Sequence, residues 1–422
     1  MRALRKVLMA KSDEYIGYLK DLAAIDTHDL GHGIDGGLEK GGQEYLKSLC
    51  GKLGANQIVE DQMSEAVIQK CMRQYNEGNP GHNYDGRYNL YATFLGKGGK
   101  SILFNSHIDT MPPGNEMDWR TPPFEPTIKD GKMYGLGTAD MKAGLMASVM
   151  AVKLIQDAGY ELPGDVIITS VCDEEGGGNG SMQAAINGLK ADAVVNCEGT
   201  GRELILAHMG FVFFRVSFEG KANHSGAKWK GVSAIEKALK IIRALEELEH
   251  TWLLTYHHPL LPAPNLNIGT IHGGTAGSTV AGECYFETCI HYLPKQMSYD
   301  MVVREFTEVV RAVSAADPWM RDHPPKLTMY QSGGAFEMDA EHIFVNTFRE
   351  VYWEVYDAPV RIVGSPAGCD SRIWRNIAGC PTIQFGPGNL EQCHSPNEYV
   401  EIDAYLETIL IYAKLILNWT SK

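Results

Sequence analysis

Among the histidines and carboxylates of this sequence, seven stand out in short motifs whose types could hold divalent cations. Ser106-His107-Ile108-Asp109 is followed, 31 residues after Asp109, by Asp140 in Thr138-Ala139-Asp140-Met141-Lys142. Cys172-Asp173-Glu174-Glu175-Gly176, Glu198 and Cys393-His394-Ser395 complete the set. His107 and Asp109, one residue apart at a strand end, can point to the same side. His107 is therefore cast as a ligand and Asp109 as the carboxylate that fixes its tautomer. Asp140 has two oxygens, so it can bridge cations ~3.5–4 Å apart; the competing reading is a helix N-cap. Glu174 and Glu175 are adjacent after an apolar run, and burying two like charges is costly unless cations compensate. One of them ligates, and Glu174 is left to move protons; an acidic surface turn is the alternative. Two tetrahedral sites sharing one bridge need at least two further ligands each. His107 with Glu198, and Glu175 with His394, supply that number. The pattern is that of a dinuclear metal hydrolase.

Such residues need a scaffold that brings them together. Apolar spacing predicts helices over 13–24 and 41–54 and an apolar helix over 144–156. Extended runs at 87–94, 100–105, 165–172 and 193–197 alternate with helical patterns, which predicts an α/β fold with a mixed, mostly parallel sheet flanked by helices. The candidate ligands follow strand C-terminal ends, where open α/β sheets place their sites. From about Phe211 the texture changes to strand 211–218, helix 232–248, strands 266–272 and 283–292, helix 299–316 and strand 327–330. That β-α-β-β-α-β order describes an inserted ferredoxin-like unit. A catalytic metal-binding domain is therefore expected over 1–208 and 328–422, with the inserted unit over 209–327. Residues 64–86, with Asn79-Pro80-Gly81 and Asp85-Gly86, read as a long loop or an insertion.

Composition narrows the partners. The 422 residues carry a formal charge of −14, which argues against nucleic acid or an anionic membrane surface as a partner. Nine cysteines without a Cys-x-x-Cys pair favour reduced thiols in a cytoplasmic setting. No run approaches the ~20 apolar residues that span a bilayer, and the apolar stretch from Val7 to Ala10 is too short for a secretory signal. A soluble, intracellular protein is expected.

With these motifs in place the chain resembles the dinuclear zinc amidohydrolases and peptidases that include acetylornithine deacetylase, succinyl-diaminopimelate desuccinylase, aminoacylase-1 and the carboxypeptidase G type. The resemblance runs from Asn89 through Glu398 and rests on five ligand motifs in the family's order. It implies two zinc ions, with cobalt or manganese able to replace them. His107, Asp140, Glu175, Glu198 and His394 fall on ligand positions, Glu174 on the general base, and the Asp140–Met141 peptide on one that tends to be cis. The inserted unit resembles the lid through which relatives form homodimers, and His224 in Ala222-Asn223-His224-Ser225-Gly226 falls on a histidine that stabilises the oxyanion, often from the partner subunit. Ser278 stands where relatives have Asn after the Gly273-Gly274 pair, and His291 where they have Arg. These two and Arg372 are the expected substrate contacts, Arg372 as a carboxylate clamp. Glutamate at 198 is more typical of deacylases than of peptidases in that family. The implied reaction is amide hydrolysis that removes an N-acyl group from an amino acid or similar small amine, with dipeptidase or carboxypeptidase activity second. A non-catalytic binding module on this fold would be expected to lack some of these six residues.

Overall fold

The structure is a computed structural model and describes residues 2–422. The chain divides into two compact units, Met1–Leu206 with Met338–Val363 and Cys369–Lys422, and Ala207–Glu337 with Gly364–Gly368.

The first unit is built on a twisted mixed sheet. The strand Gly99–His107 runs parallel to Gly164–Val171 on one side and to Val194–Asn196 on the other, and Thr382–Gln384 continues the parallel set beyond Val194–Asn196. Tyr88–Phe94 and then Gln57–Gln62 extend the sheet antiparallel at the far side. Residues of the inner strands are buried on both faces, as a sheet covered by helices requires, while the edge strand Gln57–Gln62 stays largely exposed. Leu103 and Ile167, paired in register, pack with Ile68, Met182, Ile373 and Trp374 beneath one set of helices. Phe104 points the other way, its ring 4.8 Å from that of Tyr412 on the helix Ile402–Thr420. The apolar helix Ala143–Asp157 is buried along 13 of its 15 residues, which is why its sequence shows no polar face.

The second unit is a four-stranded antiparallel sheet in the order Asn265–Gly273, Glu283–Tyr292, Gly210–Glu219, Lys326–Gly333. Alternate residues of Gly210–Glu219 are buried, so Val212, Phe214, Val216 and Phe218 face the core shared with the helices Ala234–Thr255 and Tyr299–Ala316. Phe214 stacks on Phe306 with ring centroids 4.5 Å apart.

Two expectations shift. The segment 64–86 is not all loop, because Glu65–Tyr75 is a helix burying Ile68 and Cys71 and ending at Asn76 in the left-handed region. The return from the second unit comes at Met338 instead of 328, because the last strand continues to Gly333 within the second unit's sheet.

Candidate metal centre

The parallel strands aim their carboxyl ends at one place. His107 closes Gly99–His107, Glu174 and Glu175 follow Gly164–Val171, and Glu198 follows Val194–Asn196. Asp140 lies in the tight segment Thr138–Lys142 ahead of the long apolar helix, and the Asp140–Met141 peptide is cis. Its side chain caps no helix. His394 arrives from the returning part of the chain, at positive φ (56°).

The five predicted ligands and Glu174 converge in this unit. Donor atoms of His107, Glu174 and Glu198 lie within 4.8 Å of one another, and so do those of Asp140, Glu175 and His394. Asp140 reaches both groups: its Oδ1 is 3.0 Å from His107 Nε2 and its Oδ2 is 3.3 Å from His394 Nε2. His394 Nε2 is also 3.0 Å from Glu175 Oε2, and His107 Nε2 is 3.7 Å from Glu198 Oε1. Glu174 Oε2, 3.9 Å from His107 Nε2, sits inside the first group.

Asp109 acts differently from expectation. The ring N–H at His107 Nδ1 donates to the backbone carbonyl of Asp109 at 2.8 Å, while the Asp109 carboxylate is 3.7 Å away. That carboxylate accepts the amide of Glu175 at 3.0 Å instead. Asp109 thus orients one ligand through its main chain and another through its side chain.

The electrostatics show what the site is built to hold. Burial pushes Glu174 up to about 8, helped by Asp370, Glu175 and Asp140 and opposed by His107. Burial likewise drives Glu198 well above the carboxylate range. Burial would lower His107, but Glu198, Asp140 and Glu174 outweigh it and raise it well above the ordinary imidazole value. Hydrogen bonds from His394 to Asp140 and Glu175 raise its imidazole to about 11. With Nδ1 committed as a donor, His107 Nε2 in its neutral form turns a lone pair toward three carboxylates. Cations would resolve that conflict, and the imidazole–carboxylate donor set suits zinc, cobalt or manganese.

A carboxylate that the sequence reading missed sets the Asp140 segment. Glu398, buried, accepts the amides of Ala139 (2.6 Å) and Asp140 (3.0 Å) on Oε1 and of Gly137 (2.8 Å) on Oε2. Its position four residues after His394 was the only available signal.

The other predicted residues lie elsewhere. Arg372 is buried, its Nε bound to Glu77 (3.0 Å) and its Nη1 and Nη2 to the carbonyls of Cys369 and Gly177 (2.7 and 3.0 Å). A guanidinium so engaged is part of the interior and not a substrate clamp. His224 and Ser278 are exposed in the second unit, and the Ser225 amide donates to the Ser278 carbonyl at 2.8 Å. His291 lies in that unit beside Asn265 Oδ1 (3.3 Å), and burial lowers its pKa.

The chain matches the family described as Peptidase family M20/M25/M40 over residues 103–418. It is 32% identical over 400 residues to the N-formyl-4-amino-5-aminomethyl-2-methylpyrimidine deformylase of Halalkalibacterium halodurans, covering 89% of this chain and 88% of that protein. It is 30% identical over 372 residues to the acetylornithine deacetylase of Vibrio vulnificus, covering 85% and 93%. Among solved structures, the M20 family metallo-carboxypeptidase Sso-CP2 of Sulfolobus solfataricus superposes with a TM-score of 0.76 at 18% identity, covering 96% of this chain and 99% of that one.

Proposed function

The chain belongs to peptidase family M20/M25/M40, a family of metal-dependent amide hydrolases, and we propose that it is a deacylase of small N-acylated amines. The observation that carries this reading is the convergence of His107, Asp140, Glu175, Glu198 and His394 around two donor groups bridged by one aspartate, with Glu174 beside them. Two divalent cations, zinc first, would be held by His107 with Glu198 and by Glu175 with His394, Asp140 serving both. When bound they supply Lewis acidity toward the amide carbonyl and toward water.

The protein groups do the rest. Glu174, half-buried beside the first donor group, would take a proton from the attacking water and return it to the leaving amine. His224, an exposed imidazole, is assigned the oxyanion. Asp109 keeps His107 in the tautomer that ligates.

Deacylation is favoured over peptide cleavage on two grounds. Glu198 occupies the position where glutamate accompanies deacylases, and a deformylase and acetylornithine deacetylases match at 30–32% identity over most of the chain. With Arg372 paired to Glu77 and a histidine at 291, neither expected contact is a free guanidinium for a substrate carboxylate. The amine product therefore need not be an amino acid. Zinc- or cobalt-loaded enzyme assayed on N-formyl and N-acetyl amines, N-acyl amino acids and dipeptides tests the reading, and faster turnover of dipeptides would overturn it.

A homodimer is part of the proposal. The strand Asn265–Gly273 forms an edge of the second unit's sheet, with most of its residues exposed, and such an edge offers unpaired backbone groups to a second copy. No helix among the described residues is long and apolar enough to cross a membrane.

A further inference from the structure

The stretch between the helix Glu65–Tyr75 and the strand Tyr88–Phe94 holds no helix or strand, yet Asn79, His82, Tyr84 and Arg87 all turn toward one short loop. That loop, 173–179, carries Glu174 and Glu175. It begins at Asp173, a non-glycine residue with φ of 62° whose carboxylate is fully buried. Such a conformation is uncommon and persists where the surroundings determine it.

The surroundings are specific. Asp173 receives His82 Nδ1 at 2.8 Å, the Tyr84 hydroxyl at 3.0 Å, the Asn179 amide at 2.8 Å and Arg87 Nη2 at 3.3 Å. Arg87 in turn pairs with the buried Glu39. Further along the loop, Asn79 donates to the carbonyl of Gly176 at 2.8 Å and exchanges hydrogen bonds with Asn179 through its own amide (3.1 Å) and carbonyl (2.9 Å). Arg372, tethered to Glu77, holds the carbonyl of Gly177. The fit is close enough that a methyl group at Gly33 would come within 2.1 Å of Asp173 Oδ1, and one at Gly176 within 2.5 Å.

We propose that the segment 77–87 is a clamp that fixes the loop 173–179 and thereby sets Glu174 for proton transfer, with Asp173, His82 and Tyr84 as positioning residues. None of them touches the reacting atoms. They act through the backbone, since Asp173 precedes Glu174 directly and its four side-chain donors leave it no other orientation. The proposal also gives Arg372 its place: it closes the far end of the same loop. It rests on Glu174 being the proton carrier.

The test compares Asp173→Asn, His82→Asn and Tyr84→Phe in the full-length zinc-loaded protein. Tyr84→Phe removes one hydroxyl and keeps the ring, so it serves even where Asp173→Asn does not fold. Expected is a fall in kcat of about 10–100-fold, because a small misplacement of a catalytic group costs on that order, with KM within about twofold of the parent. With zinc in excess, which keeps Glu175 engaged, metal content stays at the parent value, and amide hydrogen exchange over 173–179 becomes faster. Unchanged kcat in all three variants, a loss expressed mainly in KM, or loss of metal would each overturn the clamp. Should the parent protein hydrolyse no amide at all, the deacylase reading fails by itself. Exchange over 173–179 still decides the clamp, and an unaltered rate in every variant would sink it.

Discussion

Asp29 is fully buried, and neither of its carboxylate oxygens has a hydrogen-bond partner. Burial first, and then the charges of Glu175 and Asp173, raise its pKa to about 6 against opposition from His32 and Arg87. Between the unfolded value near 4 and this folded value the native state binds more protons than the unfolded chain, so stability falls as pH rises through that window. Above it the full penalty is present. In metal-free protein, Asp29→Asn should therefore be more stable at pH 8 by roughly 1–3 kcal/mol, and the advantage should vanish near pH 3, where both states hold the proton. Urea denaturation at the two pH values measures this, and a less stable variant at pH 8 would mean the charge is compensated. Glu174→Gln tests the proposed proton carrier: the amide keeps the shape and cannot accept the proton, so turnover should drop ~10²–10⁴-fold while metal analysis gives the parent stoichiometry. At this scale the sequence disclosed residue types and order but not directions. His107, Asp140, Glu175, Glu198 and His394 could be singled out because together they supply the ligand number of two sites sharing one bridge, in the order of the family the chain resembles. Arg372 could not be read, because its partner Glu77 lies 295 positions away and nothing in the chain announces the pair. Nor could the role of the Asp109 carbonyl, since every residue has one.

Among the elements, the helix Ala234–Thr255 shows how a long amphipathic segment is secured at its start. Ser233 caps it by accepting the Glu236 amide at 3.3 Å. One turn in, Lys237 and Lys240 reach Asp317, just past the helix Tyr299–Ala316, at 2.9 and 2.6 Å. Asp317 also accepts the amides of Trp319 and Met320 at 2.9 and 3.1 Å, so one carboxylate ties two helices to the turn that follows. Burial would raise its pKa, but the bonds from Lys240 and Lys237 outweigh it and hold the group well below the ordinary carboxylate range. The stabilisation is complete above the unfolded value near 4 and is lost as pH falls through the folded one. Asp317→Asn should destabilise the second unit by ~2 kcal/mol at pH 7 and flatten its acid dependence, read by hydrogen exchange in the two helices at pH 7 and pH 3. An unchanged exchange rate at pH 7 would contradict it. Elements with a strong period were legible in advance: Glu283–Tyr292 and Tyr299–Ala316 match the sequence-based ranges residue for residue. Glu65–Tyr75 was missed because it buries only Ile68 and Cys71, and its flanking glycines and Asn79-Pro80 dominate the local composition. Short strands such as Lys132–Tyr134 carry too few residues to show a period, and their pairing with Thr127–Lys129 and Tyr399–Glu401 comes from tertiary contact.

At the scale of the molecule, every proposed ligand belongs to the first unit, but the ligands are spread from residue 107 to residue 394 with the second unit interposed in the chain. The constellation therefore exists only once the returning segments have docked on the first 206 residues, and cations bound there would act as cross-links between those parts of the sequence. Without cations, Asp140, Glu174, Glu175 and Glu198 crowd together around His107 and His394, and burial pushes protons toward Glu174 and Glu198. Binding that is confined to the native state stabilises it by mass action, ~4 kcal/mol per site when free metal exceeds its dissociation constant a thousandfold. Stripping the metal with a chelator should accordingly lower the midpoint of thermal unfolding by roughly 10 °C, and hydrogen exchange should localise the change. Amides of 173–179, of 137–142 and of the His394 loop should exchange faster, while those buried in the helices Ala234–Thr255 and Tyr299–Ala316 keep their rates, because no ligand is drawn from that unit. Restoring zinc should reverse both effects. Equal deprotection in the two units on chelation would show that the cations support the fold as a whole and not one site within it, and an unmoved midpoint would show that the convergent carboxylates hold no metal that matters to the folded state.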